Sequence, residues 1–173
     1  MMNPSKAKIP RAKTPQQTTW QPYHKLYLPV DGHHVSGTMR VAEGVYSPQL
    51  DNEREIFVYL PPSYEQSTRR YPVLYMHDGQ NLFDPAASFA GEWGVDEAME
   101  RLAAEEGLEG IVIGIPNMEQ DRLDEYTPFR DAQEGGGMGK LYLSFITYTL
   151  KPLIDAQFRT LRDRKHTGIM GSS

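Results

Sequence analysis

Residues 71–84 read YPVLYMHDGQNLFD, and this stretch decides the fold class of the 173-residue chain. Residues 71–76 are apolar on both faces, which is typical of a strand in a parallel sheet covered by helices on both sides. His77-Asp78-Gly79 ends the run, because glycine and short polar side chains favour a turn. A second apolar run, IVIGI at residues 111–115, ends at Pro116-Asn117. We therefore expect two buried parallel strands, each followed by a turn.

Helical periodicity fills the segments between and after these two runs. An apolar stripe over residues 95–103 has the spacing of an amphipathic helix, and Gly107 is placed to end that helix. Apolar positions across residues 140–157 predict a second helix, which Pro152 should bend. Residues 165–170 predict a last short strand. This alternation of strands and helices predicts an α/β fold whose sheet is mostly parallel, with helices on both faces.

The N-terminal third has weaker signals. Residues 55–60 (EIFVYL) predict a strand that must stop at Pro61-Pro62. Turn residues and scattered aromatics over residues 20–52 predict short antiparallel strands and loops. Residues 1–19 have no hydrophobic period, so we expect a disordered basic tail there and one domain over residues 20–173.

Charge and composition exclude several classes of function. The net charge is −5, although Lys6, Lys8, Arg11 and Lys13 lie in a tail without acidic residues, so the rest of the chain is still more acidic. An acidic body argues against nucleic acid as a partner. The chain has no cysteine for a disulfide or a thiolate zinc site. No apolar run reaches the length that crosses a membrane, and no secretory signal is visible, so a cytoplasmic location is the default expectation.

The last three residues, Gly171-Ser172-Ser173, follow the predicted last strand. They match the start of GxSxG, the strand-to-helix turn that presents the serine nucleophile in α/β-hydrolases. In this spacing Ser173 is the candidate nucleophile, and Gly171 and Ser172 are structural residues of the turn. A glycine two positions before the nucleophile keeps side chains from colliding at the strained turn. The alternative is an ordinary Gly-Ser segment without a catalytic role.

The turn after the first buried strand is the second candidate site. Open α/β sheets bind their ligands at the carboxyl ends of parallel strands. In α/β-hydrolases the loop at this position supplies one backbone amide of the oxyanion hole, and Gln80 is the candidate for it. Its neighbours His77, Asp78, Gly79 and Asn81 are candidate substrate-binding residues. The alternative is a plain turn capped by the Asp78 side chain.

Two aromatic residues are candidates for the walls of a substrate pocket. Trp93 and Tyr126 could line an acyl or sugar pocket beside the oxyanion loop, although Trp93 fits a core position equally well. We expect neither a metal nor a cofactor. His33-His34 has no further ligands at a metal-site spacing and fits a solvated loop.

Two other stretches contain residues found in known functional sites, but their spacing or the neighbouring residues argue against such a site. The stretch at residues 135–140 departs from the phosphate loop GxxxxGK[ST] at Glu134 and at Leu141, so it predicts a loop that leads into the second helix. Asp121, Asp124 and Glu125 could form a carboxylate pair for glycoside hydrolysis. Ion pairs on the surface with nearby arginines, Arg122 and Arg130, are the simpler explanation.

Several blocks together resemble the "putative esterase" family of α/β-hydrolases. Its relatives include S-formylglutathione hydrolase, enterobactin esterases, feruloyl and acetylxylan esterases and mycolyltransferases. The resemblance covers roughly residues 45–173, and the HDGQ loop and the start of GxSxG are its most specific parts. The blocks are VYLPPSY (58–64), YPVLYMHDGQNLFD (71–84), GEWGVDEAMERL (91–102), IVIGIPN (111–117), DEYTPF (124–129) and TGIMGSS (167–173).

The resemblance implies a serine carboxylic-ester hydrolase that works through an acyl-enzyme on a small-molecule ester, such as an acylated sugar, a siderophore or a thioester. Family members continue past the nucleophile with a second glycine, further strands and then the catalytic acid and histidine. We therefore expect residues 20–173 to be the N-terminal portion of one esterase domain, with the C-terminal part of the fold absent. The alternative is a catalytically inactive fragment, or a remnant that binds a ligand or partner. A sheet edge exposed in this way would allow self-association.

Overall fold

The computed structural model describes residues 18–27, 32–89 and 91–172. Most of the predicted tail over residues 1–19 therefore lies outside the described residues, and so does Ser173. None of the described helices is both long enough and apolar enough to cross a membrane.

A six-stranded sheet forms the centre of the described fold. In chain order the strands are β1 (Gln21–Pro22), β2 (Thr38–Ser47), β3 (Asn52–Leu60), β4 (Val73–His77), β5 (Ile111–Ile115), β6 (Arg130–Asp131), β7 (Gly135–Gly136) and β8 (Thr167–Met170). The sheet has the order β1-β2-β3-β5-β4-β8, and β6 and β7 form a separate two-stranded hairpin.

The sheet has an antiparallel part and a parallel part. Strands β1, β2, β3 and β5 pair in antiparallel fashion, which agrees with the antiparallel strands predicted over residues 20–52, whereas the antiparallel pairing of β5 with β3 was not predicted. Strand β4 is parallel to β5 on one side and to β8 on the other, which confirms the predicted parallel strands. The difference follows from the connections, because a four-residue turn joins β2 to β3, whereas a helix crosses over between β4 and β5.

The described residues form five α-helices, of which α2 is the first predicted long helix and α4 with α5 make up the second. These are α1 (Tyr23–Leu26), α2 (Val95–Glu106), α3 (Arg122–Tyr126), α4 (Gly139–Phe145) and α5 (Lys151–Gln157), with single 3-10 turns at Gly79–Asn81, Glu119–Asp121 and Arg164–His166. Helix α2 ends as predicted at Gly107, whose φ of 68° is left-handed and whose N–H donates to Ala103.

The predicted helix over residues 140–157 takes an unusual form. A π-helical turn, Ile146–Leu150, joins α4 to α5 without a break. Lys151 N–H donates to the carbonyl of Ile146, five residues earlier, and Pro152 lies in the first turn of α5. Since proline has no N–H and its ring clashes with the preceding turn, the wider turn makes room for Pro152, and the predicted bend stays a prediction.

Helices cover both faces of the sheet, because alternate residues of each strand point to opposite sides. On one face, Ile56 and Val58 of β3 pack with Phe145 and Leu150 of the α4–α5 segment. On the other face, Phe57 and Tyr59 of the same strand pack with Val95 and Met99 of α2. At the end of the described sheet, β8 pairs only with β4, and the self-association expected at such an edge stays a prediction.

A buried ion pair fastens α3 to the sheet. Arg54 of β3 donates two hydrogen bonds to Glu125, at 2.9 and 2.6 Å, and both side chains are 1% exposed. Asn52 donates a further bond to the same carboxylate, at 3.0 Å. The sequence expectation that Glu125 belongs to a surface ion-pair cluster with nearby arginines is wrong, because its arginine partner lies on a distant strand. This pair fixes the orientation of α3, which carries Tyr126.

We expect Glu125→Gln to lower the free energy of unfolding by about 3 kcal/mol, because it leaves the buried Arg54 guanidinium without a countercharge. Urea denaturation would measure the change. Glu105→Gln, at an exposed position of α2, is the matched control and should change stability by less than about 0.5 kcal/mol. Equal stability of the two variants would contradict this account of the pair.

Candidate active site

Three strand ends meet at one edge of the sheet. In the parallel register of β4 and β5, His77 lies opposite Ile115. In the register of β4 and β8, Met76 lies opposite Met170. The chain segments that leave these strands, starting at Asp78, Pro116 and Gly171, therefore begin side by side. This is the position at which open α/β sheets place their ligands.

The turn after β4 approaches the backbone of β5 so closely that only glycine fits. A Cβ atom on Gly79 would lie 2.6 Å from Gly114 C and from Ile115 N. Asp78, just before it, has a left-handed φ of 54°. Within the turn, Asn81 N–H donates to Asp78 and Leu82 N–H donates to Gly79. The amide of Gln80 is not one of these two donors.

Asp78 does not cap the turn with its side chain, which excludes the plain capped turn considered from the sequence. Its carboxylate instead accepts bonds from Arg122 Nε and Nη2, at 3.0 and 2.9 Å, and from Asn117 Nδ2 at 2.6 Å. Burial acts to raise the pKa of Asp78, but the hydrogen bonds from Arg122 and Asn117 outweigh it and hold the pKa below its usual value. Asp78 is therefore ionised and fixed in place at neutral pH.

Tyr126 and His77 are close neighbours of Asp78. The Tyr126 hydroxyl accepts from the Asp78 backbone N–H at 3.3 Å, and its ring lies 4.8 Å from the Arg122 guanidinium carbon. His77 Nδ1 is 2.8 Å from the Tyr142 hydroxyl. Burial lowers the pKa of His77, although the neighbouring Asp78 works in the opposite direction. The imidazole is thus neutral at pH 7.

Gly171 packs directly against His77. A Cβ atom on Gly171 would lie 2.7 Å from His77 Cδ2. The structure therefore brings the start of the GxS motif next to the oxyanion-loop candidate, as its place after the last strand predicted. Ser172 is exposed, and the candidate nucleophile Ser173 lies outside the described residues.

Asn81 connects the turn to the segment that carries Trp93. Its side-chain oxygen accepts from Phe89 N–H at 3.0 Å and from Ser88 Oγ at 3.3 Å, and its carbonyl accepts from Trp93 N–H at 2.9 Å. Trp93 is 42% exposed, which favours a surface position over the core alternative. The backbone of the candidate wall residue Trp93 is thus bonded to the turn after β4.

The site also contains residues that the sequence analysis missed. Asn117 donates its backbone N–H to Gln80 Oε1 at 3.2 Å, besides its bond to Asp78. Asn117 lies two residues after the end of the buried strand β5. Because ligands bind at the carboxyl ends of parallel strands, this position could have marked it as a candidate. Arg122 and Tyr142 lie on helical segments, where no local pattern marked them.

The solvated loop predicted for His33-His34 is wrong for His33, whose side chain is mostly buried against Asp84. Its Nδ1 lies 2.7 Å from Asp84 Oδ2, and the Tyr23 hydroxyl donates to the same oxygen at 2.5 Å. Asp84 is almost fully buried and closes the loop that begins at Asp78. Its contacts therefore anchor the N-terminal segment to the far end of this loop.

Comparison with known proteins identifies relatives for this arrangement. A family model described as "Putative esterase" matches residues 47–173. A Bacillus subtilis (strain 168) protein described as "Uncharacterized protein YbbA" is 33% identical over 138 residues, which are 76% of this chain and 51% of that protein. The chain thus spans about half the length of this curated relative.

Two solved structures share the fold. An IroE-like serine hydrolase from Shewanella oneidensis is 26% identical with a TM-score of 0.55, over 70% of this chain and 39% of that one. A CE1 ferulic acid esterase from Anaeromyces mucronatus, solved with ferulic acid, is 20% identical with a TM-score of 0.53, over 83% and 50% of the two chains. At that identity the second likeness concerns the fold alone.

Gly79→Ala should destabilise the protein by about 3 kcal/mol, because the new methyl group would press on the backbone of β5. Gly110→Ala is the control, since its Cβ would meet no atom closer than 3.4 Å. Thermal unfolding of the two variants would measure the difference. A Gly79→Ala protein as stable as Gly110→Ala would show that the turn is looser than described.

Arg122→Gln should raise the pKa of Asp78, because burial would then outweigh the remaining hydrogen bonds. In the wild type the lowered pKa stabilises the fold above the unfolded value of about 3.9, and this contribution is lost as the pH falls through the folded pKa. The variant should therefore lose less stability than the wild type between pH 7 and pH 3. The ¹³C shift of the Asp78 carboxyl and urea titrations would test this, with the exposed Arg101→Gln as control.

Proposed function

The chain belongs to the "putative esterase" family, and from that premise we propose that it is the N-terminal portion of a serine carboxylic-ester hydrolase. The observation that carries the proposal is the parallel pairing of β8 with β4, which sets Gly171 against His77 beside the Gly79 turn. Two peptide units join Gly171 to Ser173, and they span at most about 7 Å. The proximity of Gly171 to the turn that carries the proposed oxyanion donor therefore supports Ser173, two residues further along the chain, as the nucleophile.

In this proposal Ser173 attacks the carbonyl carbon of the ester and forms an acyl-enzyme, while the alcohol leaves. The negative charge on the carbonyl oxygen is stabilised by the backbone N–H of Gln80 and by the amide that follows Ser173. The rigid turn supports this role of Gln80, because the contact of Gly79 with β5 holds the amide in place. Water then attacks the acyl-enzyme and releases the acid.

The contacts of His77 and Asp78 favour positioning roles over roles in the catalytic triad. Asp78 uses its carboxylate to bind Arg122 and Asn117, and His77 directs Nδ1 toward Tyr142. In a catalytic triad, a carboxylate orients a histidine that accepts the proton of the serine. The contacts of His77 and Asp78 do not have this arrangement. We therefore propose that the histidine and the acid that activate Ser173 come from residues after 173 in a longer chain.

The substrate proposed is a small-molecule ester that lies between the oxyanion turn and the aromatic residues nearby. Trp93 supplies an exposed side chain, and its backbone N–H is bonded to the Asn81 carbonyl. Tyr126 supplies a hydroxyl next to Asp78. The likeness to an IroE-like serine hydrolase supports the class of reaction. An acylated sugar, a siderophore and a thioester are the substrate classes to test first.

The 173-residue chain should hydrolyse p-nitrophenyl acetate no faster than its Ser173→Ala variant, because the histidine proposed to accept the serine proton comes from residues after 173. In a product of the gene that extends past residue 173, we expect glycine at position 175 and a later acid and histidine. Ser173→Ala in that product should then lower kcat by about 10³-fold or more. The neighbouring Ser172→Ala is the matched control and should keep most of the activity.

Each alternative has its own result. Hydrolysis by the 173-residue chain that disappears in Ser173→Ala would contradict the need for residues beyond 173. A residue other than glycine at position 175, together with the absence of a later histidine, would contradict the proposal that the chain is part of a hydrolase. That outcome would favour a catalytically inactive remnant that binds a ligand or a partner.

A further inference from the structure

Three carboxylates meet where α2 begins, on a part of the molecule that the proposed hydrolysis does not use. Glu92 precedes the helix, and Asp96 and Glu97 lie in its first turn. One oxygen from each of the three lies within 4.8 Å of the others. Asp96 is completely buried, and the other two residues are half-buried.

Each of these carboxylates has a buried oxygen without a hydrogen-bond donor among the described residues, namely Glu92 Oε1, Asp96 Oδ1 and Glu97 Oε2. The second oxygens of Asp96 and Glu97 are held by Ser36, whose N–H donates to Asp96 at 2.5 Å and whose hydroxyl donates to Glu97 at 3.1 Å. Ser36 thus orients two of the carboxylates, as residues behind metal ligands commonly do.

Ordinary ion pairing does not explain the cluster. In the part of the chain that the structure describes, no lysine or arginine forms an ion pair with these three residues, and His34 Nδ1 is 3.9 Å from Glu97. The amides of the first helical turn favour negative charge on Asp96 and Glu97. They account for neither Glu92 nor the buried oxygens without donors, and such oxygens are costly to bury.

We propose that Glu92, Asp96 and Glu97 form a calcium-binding site. Carboxylate oxygens are the ligands that hard divalent cations prefer. Oxygen atoms bound to one Ca²⁺ ion, at about 2.3–2.6 Å from it, lie at most about 4.6–5.2 Å apart, so a group of oxygens within 4.8 Å of one another can share the ion. Ca²⁺ accepts irregular, flexible coordination, whereas Mg²⁺ demands near-ideal octahedral geometry at about 2.1 Å, which favours Ca²⁺ at three side chains of unequal burial. Water would complete the coordination.

The site would hold the segment that carries Trp93. Gly91 and Gly94, with left-handed φ values of 92° and 61°, flank Glu92 and Trp93. A cation shared between Glu92 and the first turn of α2 would tie this short segment to the helix. Because Trp93 N–H bonds to Asn81, calcium would also stabilise the loop after β4, independently of any catalytic activity.

Titration calorimetry and thermal unfolding of the chelator-treated 173-residue chain test the proposal. With CaCl₂ at about 100-fold excess over its dissociation constant, we expect the melting temperature to rise by roughly 5–10 °C. MgCl₂ at the same concentration should have a much smaller effect. In a Trp20→Phe background, the fluorescence of Trp93 should change on addition of CaCl₂.

Asp96→Asn and Glu97→Gln should abolish the calcium response and, in chelator, should melt no lower than the wild type, because they relieve repulsion between carboxylates. Glu105→Gln, at the other end of α2, should respond like the wild type. If a helix variant fails to fold, Glu92→Gln before the helix provides the same test. Absence of binding heat and of a melting shift in the wild type at millimolar CaCl₂ would overturn the proposal, and so would a full response in Asp96→Asn. None of these measurements depends on hydrolysis.

Discussion

Strand β4 lies between β5 and β8 and is parallel to both, and the candidate site exists because of this arrangement. Parallel pairing brings the carboxyl ends of all three strands to one edge of the sheet. His77, Asn117 and Gly171 come from widely separated parts of the sequence, yet they lie at or just beyond those ends. A strand that ran in the opposite direction would deliver its turn to the far edge. The direction of β4 and its neighbours therefore decides which loops can act together.

Close packing and charge then make this edge rigid. The absence of a side chain at Gly79 lets the turn lie on the backbone of β5, and the absence of one at Gly171 lets β8 end against His77. Asp78 is held by Arg122 and Asn117, so its charge is satisfied although it is buried. The Arg54–Glu125 pair fastens the helix that carries Tyr126 to the sheet. An amide that must stabilise a transient negative charge benefits from such a fixed frame, because no reorganisation is needed during the reaction.

The proposed active site and the proposed calcium site are connected through a short path of main chain. Asn81 belongs to the turn after β4, it accepts a bond from Trp93 N–H, and Trp93 lies between Glu92 and the start of α2. Along this path, Trp93 and Asn81 lie between the acidic cluster and Gln80. Calcium would therefore stabilise the wall without taking part in the transfer of the acyl group.

The sequence by itself determined the elements whose signals are local. Apolar runs located β4 and β5, helical periodicity located α2 and the α4–α5 segment, and the HDGQ and GSS motifs marked the ends of β4 and β8. The tertiary structure alone decided which charged groups pair, because a charge has no periodic pattern and its partner depends on contacts made by the folded chain. Arg54 binds Glu125 across 71 positions of sequence, and Arg122 binds Asp78 across 44. Sequence reasoning favoured the nearby Arg122 and Arg130 as partners of Glu125 and named no charged partner for Asp78. Burial selected distant partners for both, since an ionised group can leave water only where its countercharge is already in place.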